Sequence, residues 1–219
     1  MNPTFDTLLF DLDGTLTDPG LGITNSVRHS LAHFGIEEPE RARLYPFIGP
    51  PLKESFMRFY GFDSAKADEA CLRYREYFSV TGLFENEVFP DIPPLLESLA
   101  ARGRALYIAT SKPAVFARRI AAHFDLERYF TAIEGSELDG TRTNKAELIT
   151  HILEKHSLNP ERCLMIGDRE HDIKGATANG LASIGVGYGY GSEEELRSAG
   201  ASWYVEDVKA LGALLEEVG

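Results

Sequence analysis

Two aspartates separated by a single leucine end the apolar run TLLF in the stretch LLFDLDGTLTD, Leu8 to Asp18. Further along, other short apolar runs end in residues of the same chemical kind. LYIA is followed by Thr110 and Ser111, and CLMIG by Asp168 and then Asp172, while Lys145 opens a helical pattern just before CLMIG. Carboxylates gathered at one place repel one another and hold protons to higher pH unless a cation neutralises them. A donor set of oxygens without His or Cys suits Mg2+. With such charge balance one carboxylate stays ionised as a nucleophile while its neighbour exchanges protons with a leaving group. A hydroxyl and an ammonium then hold the oxygens of a phosphoryl group, whose transfer depends mainly on positioning and charge neutralisation. The residue types specify phosphoryl transfer.

Those residues need a scaffold that brings distant segments to one edge. Thr7–Phe10, Leu106–Ala109, Cys163–Gly167 and Ala182–Val186 are the strand candidates, and helical patterns separate them: IPPLLESLAARG, AVFARRIAAHF, KAELITHILEKH and HDIKGATANG. Gly103 and Gly180 stop two of these helices. The alternation predicts an α/β fold, a Rossmann-like parallel sheet with helices on both faces. Ligands of such sheets bind at the carboxyl ends of the strands, where all the residues above fall. From Thr17 to Glu87 the rhythm changes to successive amphipathic helices without a convincing strand. The expected organisation is a catalytic core of residues 1–16 and 88–219, carrying an all-helical cap of residues 17–87 that could act as a lid.

Composition narrows the partners. The chain has 219 residues, with 22 Lys+Arg against 34 Asp+Glu and a net charge of −12, which argues against a basic nucleic-acid-binding face. Its apolar runs fall short of a membrane span, and the N-terminal MNPTFDT lacks the pattern of a signal peptide, so a cytoplasmic protein is expected. Cys71 and Cys163, without metal-ligand spacing, read as reduced thiols. Monomer and homodimer are both open.

DLDGTLTD, YIATSKP, NKAELI and MIGDREHD together resemble the four ordered motifs of the haloacid dehalogenase superfamily of phosphohydrolases. The helical insertion, and the C-terminal NGLASIGVGYGYGSEEELRSAGA, are similar to the phosphoglycolate phosphatase-like branch. The resemblance implies that Asp11 is a nucleophile forming an aspartyl-phosphate and that Asp13 protonates the leaving alcohol and then activates water. It implies that Thr110 bonds the phosphoryl oxygens and that Lys145 neutralises Asp11 and phosphate. Mg2+ would be held by Asp11, Asp168 and the Asp13 carbonyl, with Asp172 orienting the shell or ligating through water. Gly14 and Thr15 match the turn after the nucleophile.

Several residues admit a plainer reading. Ser111 and Lys112 are candidates for phosphate contact, though Ser111 also suits an N-cap for the following helix. His171 has no vacancy to fill in this mechanism and reads as exposed loop. The glycine-rich GVGYGYG, Gly185 to Gly191, lacks the Lys-Ser/Thr of a nucleotide-triphosphate loop and reads as a turn at the sheet's edge. In the cap, FIGPPLKESF offers Gly49, Pro50, Leu52 and Lys53 for contacts to the leaving group, against a rigid connector. Arg75 could hold a carboxylate or second phosphate, but Arg73 and Glu76 beside it favour a surface ion pair. Phe47, Phe56, Phe59 and Tyr60 could stack a nucleobase, yet their spacing fits a cap core.

The acid at Asp13 argues against dehalogenation and phosphonate cleavage, which protonate no alcohol. The cap stretch PGLGITN lacks the His typical of sugar-phosphate mutases of this cap type. The expectation is a Mg2+-dependent phosphomonoesterase for a small phosphate ester, phosphoglycolate-like or, alternatively, a 5'-nucleotidase. A phosphomutase or a non-catalytic phosphoester-binding regulator is the remaining alternative.

Overall fold

A computed structural model describes residues 5–219, so the first four residues of the expected core segment 1–16 lie outside the described residues. In chain order the elements begin with β1 (Thr7–Phe10) and β2 (Thr17–Asp18). Helices α1 (Gly20–His33), α2 (Leu52–Tyr60) and α3 (Ser64–Tyr77) follow, with a 3-10 turn at Arg41–Phe47 and a π turn at Phe78–Gly82. The chain continues with β3 (Glu87–Val88), α4 (Ile92–Ala101), β4 (Ala105–Pro113), α5 (Ala114–His123), β5 (Ala132–Ser136) and α6 (Lys145–His156). It ends with β6 (Cys163–Gly167), α7 (Glu170–Ala178), β7 (Ala182–Val186), α8 (Glu193–Ser198), β8 (Trp203–Val205) and α9 (Val208–Glu217).

Six strands form one parallel sheet in the order β5-β4-β1-β6-β7-β8. Burial on both faces explains why β1 is apolar at successive positions rather than alternating. Leu8 and Phe10 pack on one face with Leu106, Ile108, Leu164 and Ile166. Leu9 points to the other, where Leu148, Ile149 and Ile152 of α6 cover it together with Met165. Each such fully buried side chain contributes on the order of 2 kcal/mol. Gly103 and Gly180 both take positive φ after their helices, as expected of C-terminal stops.

The strands missing from the sequence reading are the ones with weak patterns. β5, AIEGS, carries Glu134 and Gly135 and has only five residues. β8 has three, and β2 and β3 pair as a two-residue antiparallel ribbon. That ribbon flanks the helical segment at both of its ends. Helices α1 and α3 pack together in it, and Ser30 ties them by donating to the Ala70 carbonyl at 2.8 Å. Phe47 and Phe56 are buried in this layer, with ring centroids 5.1 Å apart, and Phe59 stays at its surface. No helix among the described residues is long and apolar enough to cross a membrane.

Candidate active site

Parallel register assembles the site. Phe10 pairs with Ile108 on one side and Ile166 on the other, so the next residues out of the sheet are Asp11, then Thr110 and Asp168 on the flanking strands. Asp11 is held in line by its amide, which donates to the Ile166 carbonyl at 2.9 Å. Asn144 caps α6 through its side chain and thereby fixes Lys145 at the first position of that helix.

Lys145 is the electrostatic centre. Its Nζ lies 2.9 Å from Asp11 Oδ1, 2.7 Å from Asp172 Oδ1 and 2.7 Å from the Ala109 carbonyl, with the side chain almost wholly buried. Burial alone would lower the Lys145 pKa, but the Asp11 and Asp172 carboxylates outweigh it and raise it. Burial raises Asp172 as well, against the pull of Lys145. Asp168 is pushed well above the ordinary carboxylate range, by burial first and then by Asp172 and Asp11.

Asp11, Asp168 and Asp172 each offer an oxygen within 4.8 Å of the others. Asp168 Oδ2 accepts from the Tyr190 amide at 2.7 Å, whereas its Oδ1 is buried with no partner among the described residues. An orphaned carboxylate oxygen inside an all-oxygen cluster is the environment a hard divalent cation satisfies, so these residues fit Mg2+. Both Asp172 oxygens are engaged, Oδ1 by Lys145 and Oδ2 by the Arg169 amide at 3.1 Å, which leaves it better placed to orient than to bind.

Asp13 stands apart from this cluster. A bulge in β4 between Thr110 and Pro113 re-aims Lys112 across the site, and its ammonium lies 2.9 and 2.7 Å from the two Asp13 carboxylate oxygens. Lys112 therefore holds Asp13, and its Nζ also sits 4.6 Å from the centre of the Phe78 ring. Burial raises the Asp13 pKa, and Lys112 opposes that rise. Any metal contact by Asp13 would fall to its carbonyl, because its carboxylate is committed to Lys112.

Thr110 is buried, and its Oγ1 accepts from the Lys112 amide at 3.3 Å. Gly14 has φ +84°, and a Cβ there would lie 2.2 Å from Asp168 Oδ2, so this turn must be glycine for Asp168 to occupy its place. Thr15 is fully buried, and its hydroxyl has no partner among the described residues.

A cavity of about 520 Å³ opens on Asp13 between the sheet edge and the helical layer. Phe47, Tyr74, Phe78 and Phe116 form its apolar wall, while Lys53, Arg75 and Lys112 contribute cations. Gly49, Pro50, Leu52 and Ser111 also line it. Lys53 is paired with Asp68 at 2.7 Å. The expected surface ion pair of Arg75 is absent among the described residues: Arg73 instead holds Glu76 and Glu69, leaving Arg75 half-buried at the cavity.

Three further expectations are corrected. Ser111 does not cap α5, whose N-cap is Pro113; the Ser111 carbonyl instead accepts from Ser136 Oγ at 2.8 Å, a consequence of the bulge. His171 lies in the first turn of α7, as the helical pattern HDIKGATANG placed it, and is half-buried beside a smaller cavity that Lys145 also lines rather than in an exposed loop. Burial lowers its pKa, with Glu170 opposing. The glycine-rich turn follows β7, an interior strand, and folds over Asp168, where Tyr190 supplies the amide and Tyr188 donates to the Thr15 carbonyl at 3.1 Å. Only the density of glycine beside aromatics hinted at that close packing.

An α/β sheet whose carboxyl edge presents paired aspartates, a buried lysine and an acidic cluster under a helical layer defines a phosphoryl-transfer enzyme. The model of the haloacid dehalogenase-like hydrolase family matches residues 8–186, and the chain belongs to that family. A 5'-nucleotidase from Pseudomonas aeruginosa is 61% identical over 212 residues, 97% of this chain and 96% of that protein. Tyrosine-protein kinase PtkA of Mycobacterium tuberculosis is 43% identical over 184 residues, 84% of this chain but 62% of that protein. A phosphoglycolate phosphatase from Colwellia psychrerythraea is 25% identical over 206 residues, 90% of this chain and 91% of that protein. Among solved structures, a predicted phosphatase from Clostridium acetobutylicum superposes with a TM-score of 0.96 at 48% identity, covering 98% of this chain and 99% of that one. The chain is a phosphoric monoester hydrolase.

Proposed function

We propose that this phosphatase is Mg2+-dependent and that its preferred substrates are nucleoside 5'-monophosphates. The observation that carries the substrate class is the cavity of about 520 Å³ beside Asp13, walled by aromatic side chains and fringed by Arg75 and Lys53. Pockets of this size and lining suit ligands with an apolar or planar body. The two-carbon body of phosphoglycolate would leave most of that space to water, while a nucleoside would occupy far more of it and could bring its base among Phe47, Tyr74, Phe78 and Phe116. The 61% identical 5'-nucleotidase supports the same choice.

In the proposed mechanism Asp11 attacks phosphorus, and the bond from phosphorus to the leaving oxygen breaks as Asp13 gives that oxygen its proton. The result is an aspartyl-phosphate at Asp11 and a free alcohol. Asp13, now ionised and held by Lys112, takes a proton from water, which attacks phosphorus and releases Asp11 and inorganic phosphate. Burial and Lys112 press the Asp13 carboxyl in opposite directions, which suits a group that must hold a proton in one half-reaction and lack it in the next. Lys145 balances the charge of Asp11 and keeps it aimed, and Asp172 steadies Lys145. A Mg2+ ion held by Asp11 and Asp168 would neutralise phosphoryl charge.

Phosphate release measured against nucleoside monophosphates, phosphoglycolate and sugar phosphates tests the reading. A kcat/KM of about 10⁴ M⁻¹s⁻¹ or more for nucleotides, well above the others, is expected. A preference for phosphoglycolate would overturn the substrate class and leave the chemistry.

A further inference from the structure

Arg169 lies between Asp168 and Asp172, and its backbone and side chain serve opposite sides of the cleft. Its amide donates to Asp172 Oδ2 at 3.1 Å, next to the acidic cluster. Its guanidinium reaches the other way: Nε donates to Glu195 Oε1 at 2.9 Å, and Nη1 donates to the Ile48 carbonyl in the loop that precedes α2. Glu195 is itself fixed, since Oε1 also accepts from the Glu170 amide at 2.9 Å. The loop fits tightly onto this side chain. Gly49 has φ +101°, and a Cβ there would come within 2.8 Å of Arg169 Cγ.

The next residues, Gly49 through Lys53, form one wall of the cavity. The guanidinium is mostly shielded, with 15% of the side chain exposed, so its two hydrogen bonds are not diluted as those of an open surface pair are.

We propose that Arg169 is a positioning residue for substrate specificity: anchored by Glu195, it docks the Ile48–Gly49 loop and thereby sets the cavity wall that the leaving group meets. It acts through the loop and touches no reacting atom. Substrates that fill the cavity depend on it, and substrates too small to reach the wall do not. The inference rests on reading this cavity as the leaving-group pocket.

The test compares kcat and KM for a nucleoside monophosphate and for acetyl phosphate in wild type, Arg169→Ala, Arg169→Lys and Glu195→Ala, with thermal midpoints for each. Arg169→Ala is expected to raise the nucleotide KM by about tenfold, equivalent to about 1.4 kcal/mol, while kcat/KM for acetyl phosphate stays within about threefold. Glu195→Ala, which leaves the Ile48 contact but frees the guanidinium, is expected to shift the same ratio by a smaller factor. Lysine at 169 keeps the charge but cannot serve Glu195 and Ile48 together, so it should not restore wild-type discrimination. Equal losses on both substrates in the folded variants, or no change in their ratio, would overturn the proposal. Should Arg169→Ala fail to fold, Glu195→Ala alone decides it. If wild type itself prefers another ester of the panel, the nucleotide reading fails, and the Arg169 ratio is measured with that ester instead.

Discussion

The ammonium of Lys112 contacts both carboxylate oxygens of Asp13, at 2.9 and 2.7 Å, with less than a tenth of either side chain exposed. This pairing opposes the rise that burial imposes on the Asp13 pKa, and Asp13 is not part of the Asp11, Asp168 and Asp172 cluster. The groups proposed for proton transfer and for cation binding are thus held by different partners, although the sequence places Asp11 and Asp13 two residues apart.

Removing that ammonium has a definite sign. In Lys112→Met the Asp13 pKa rises further, so the ionised form needed to activate water is reached only at higher pH. The acidic limb of the kcat–pH profile is expected to move upward, and kcat at pH 7 to fall by about tenfold or more. An unmoved profile would show that Lys112 does not govern Asp13.

The acidic cluster should make the metal-free protein less stable at neutral than at mildly acidic pH. Burial raises Asp172 from an ordinary 3.8 to about 6 and pushes Asp168 well above its ordinary value. A carboxyl whose pKa is higher folded than unfolded binds protons more readily in the native state, so its contribution is present below 3.8 and is lost as pH rises through about 6. The thermal midpoint without metal is expected to fall between pH 5 and pH 7.5 and to recover at pH 7.5 on adding Mg2+. Calorimetry in chelator and in Mg2+ checks both halves.

Much of this arrangement was legible in the sequence, because strands buried on both faces leave uninterrupted apolar runs and the reactive residues follow them directly. β1, β6 and β7 have the bounds their runs predict. β5 was not legible, since Glu134 interrupts its apolar character; in the fold it pairs with Lys155 and His156 at 2.7 and 2.9 Å, a long-range contact no local pattern reveals. Nor were the partners of Lys112 and Arg169, which depend on a bulge and on the approach of a loop about 120 residues distant in sequence. Arg75 misled for the opposite reason: its neighbours suggested a surface pair that Arg73 takes instead.

The glycine-rich turn supplies another test. A Cβ at Gly189 would lie 2.3 Å from the Gly14 carbonyl and 2.4 Å from Asp168 Cβ, so Gly189→Ala must displace Asp168 or the turn. A loss of about 1–3 kcal/mol in stability is expected, together with weaker stabilisation by Mg2+ than in wild type. Thermal unfolding across a Mg2+ titration measures both.

Arg75 should matter for binding more than for chemistry. Arg75→Met is expected to raise the nucleotide KM about fivefold, in keeping with loss of one partly exposed charged hydrogen bond. Its kcat should be little changed, because among the described residues Asp11 and Asp13 pair with Lys145 and Lys112 and not with Arg75. Steady-state kinetics that instead showed a fall in kcat alone would remove Arg75 from the leaving-group pocket.

A rapid acid quench of enzyme mixed with a labelled nucleoside monophosphate and Mg2+ tests most directly whether Asp11 is the nucleophile. The predicted result is hydroxylamine-labile phosphate on the peptide containing Asp11, absent from Asp11→Asn, whose turnover falls by on the order of 10⁴-fold or more. Phosphate release proceeding with no label at Asp11, or surviving in Asp11→Asn, would contradict it.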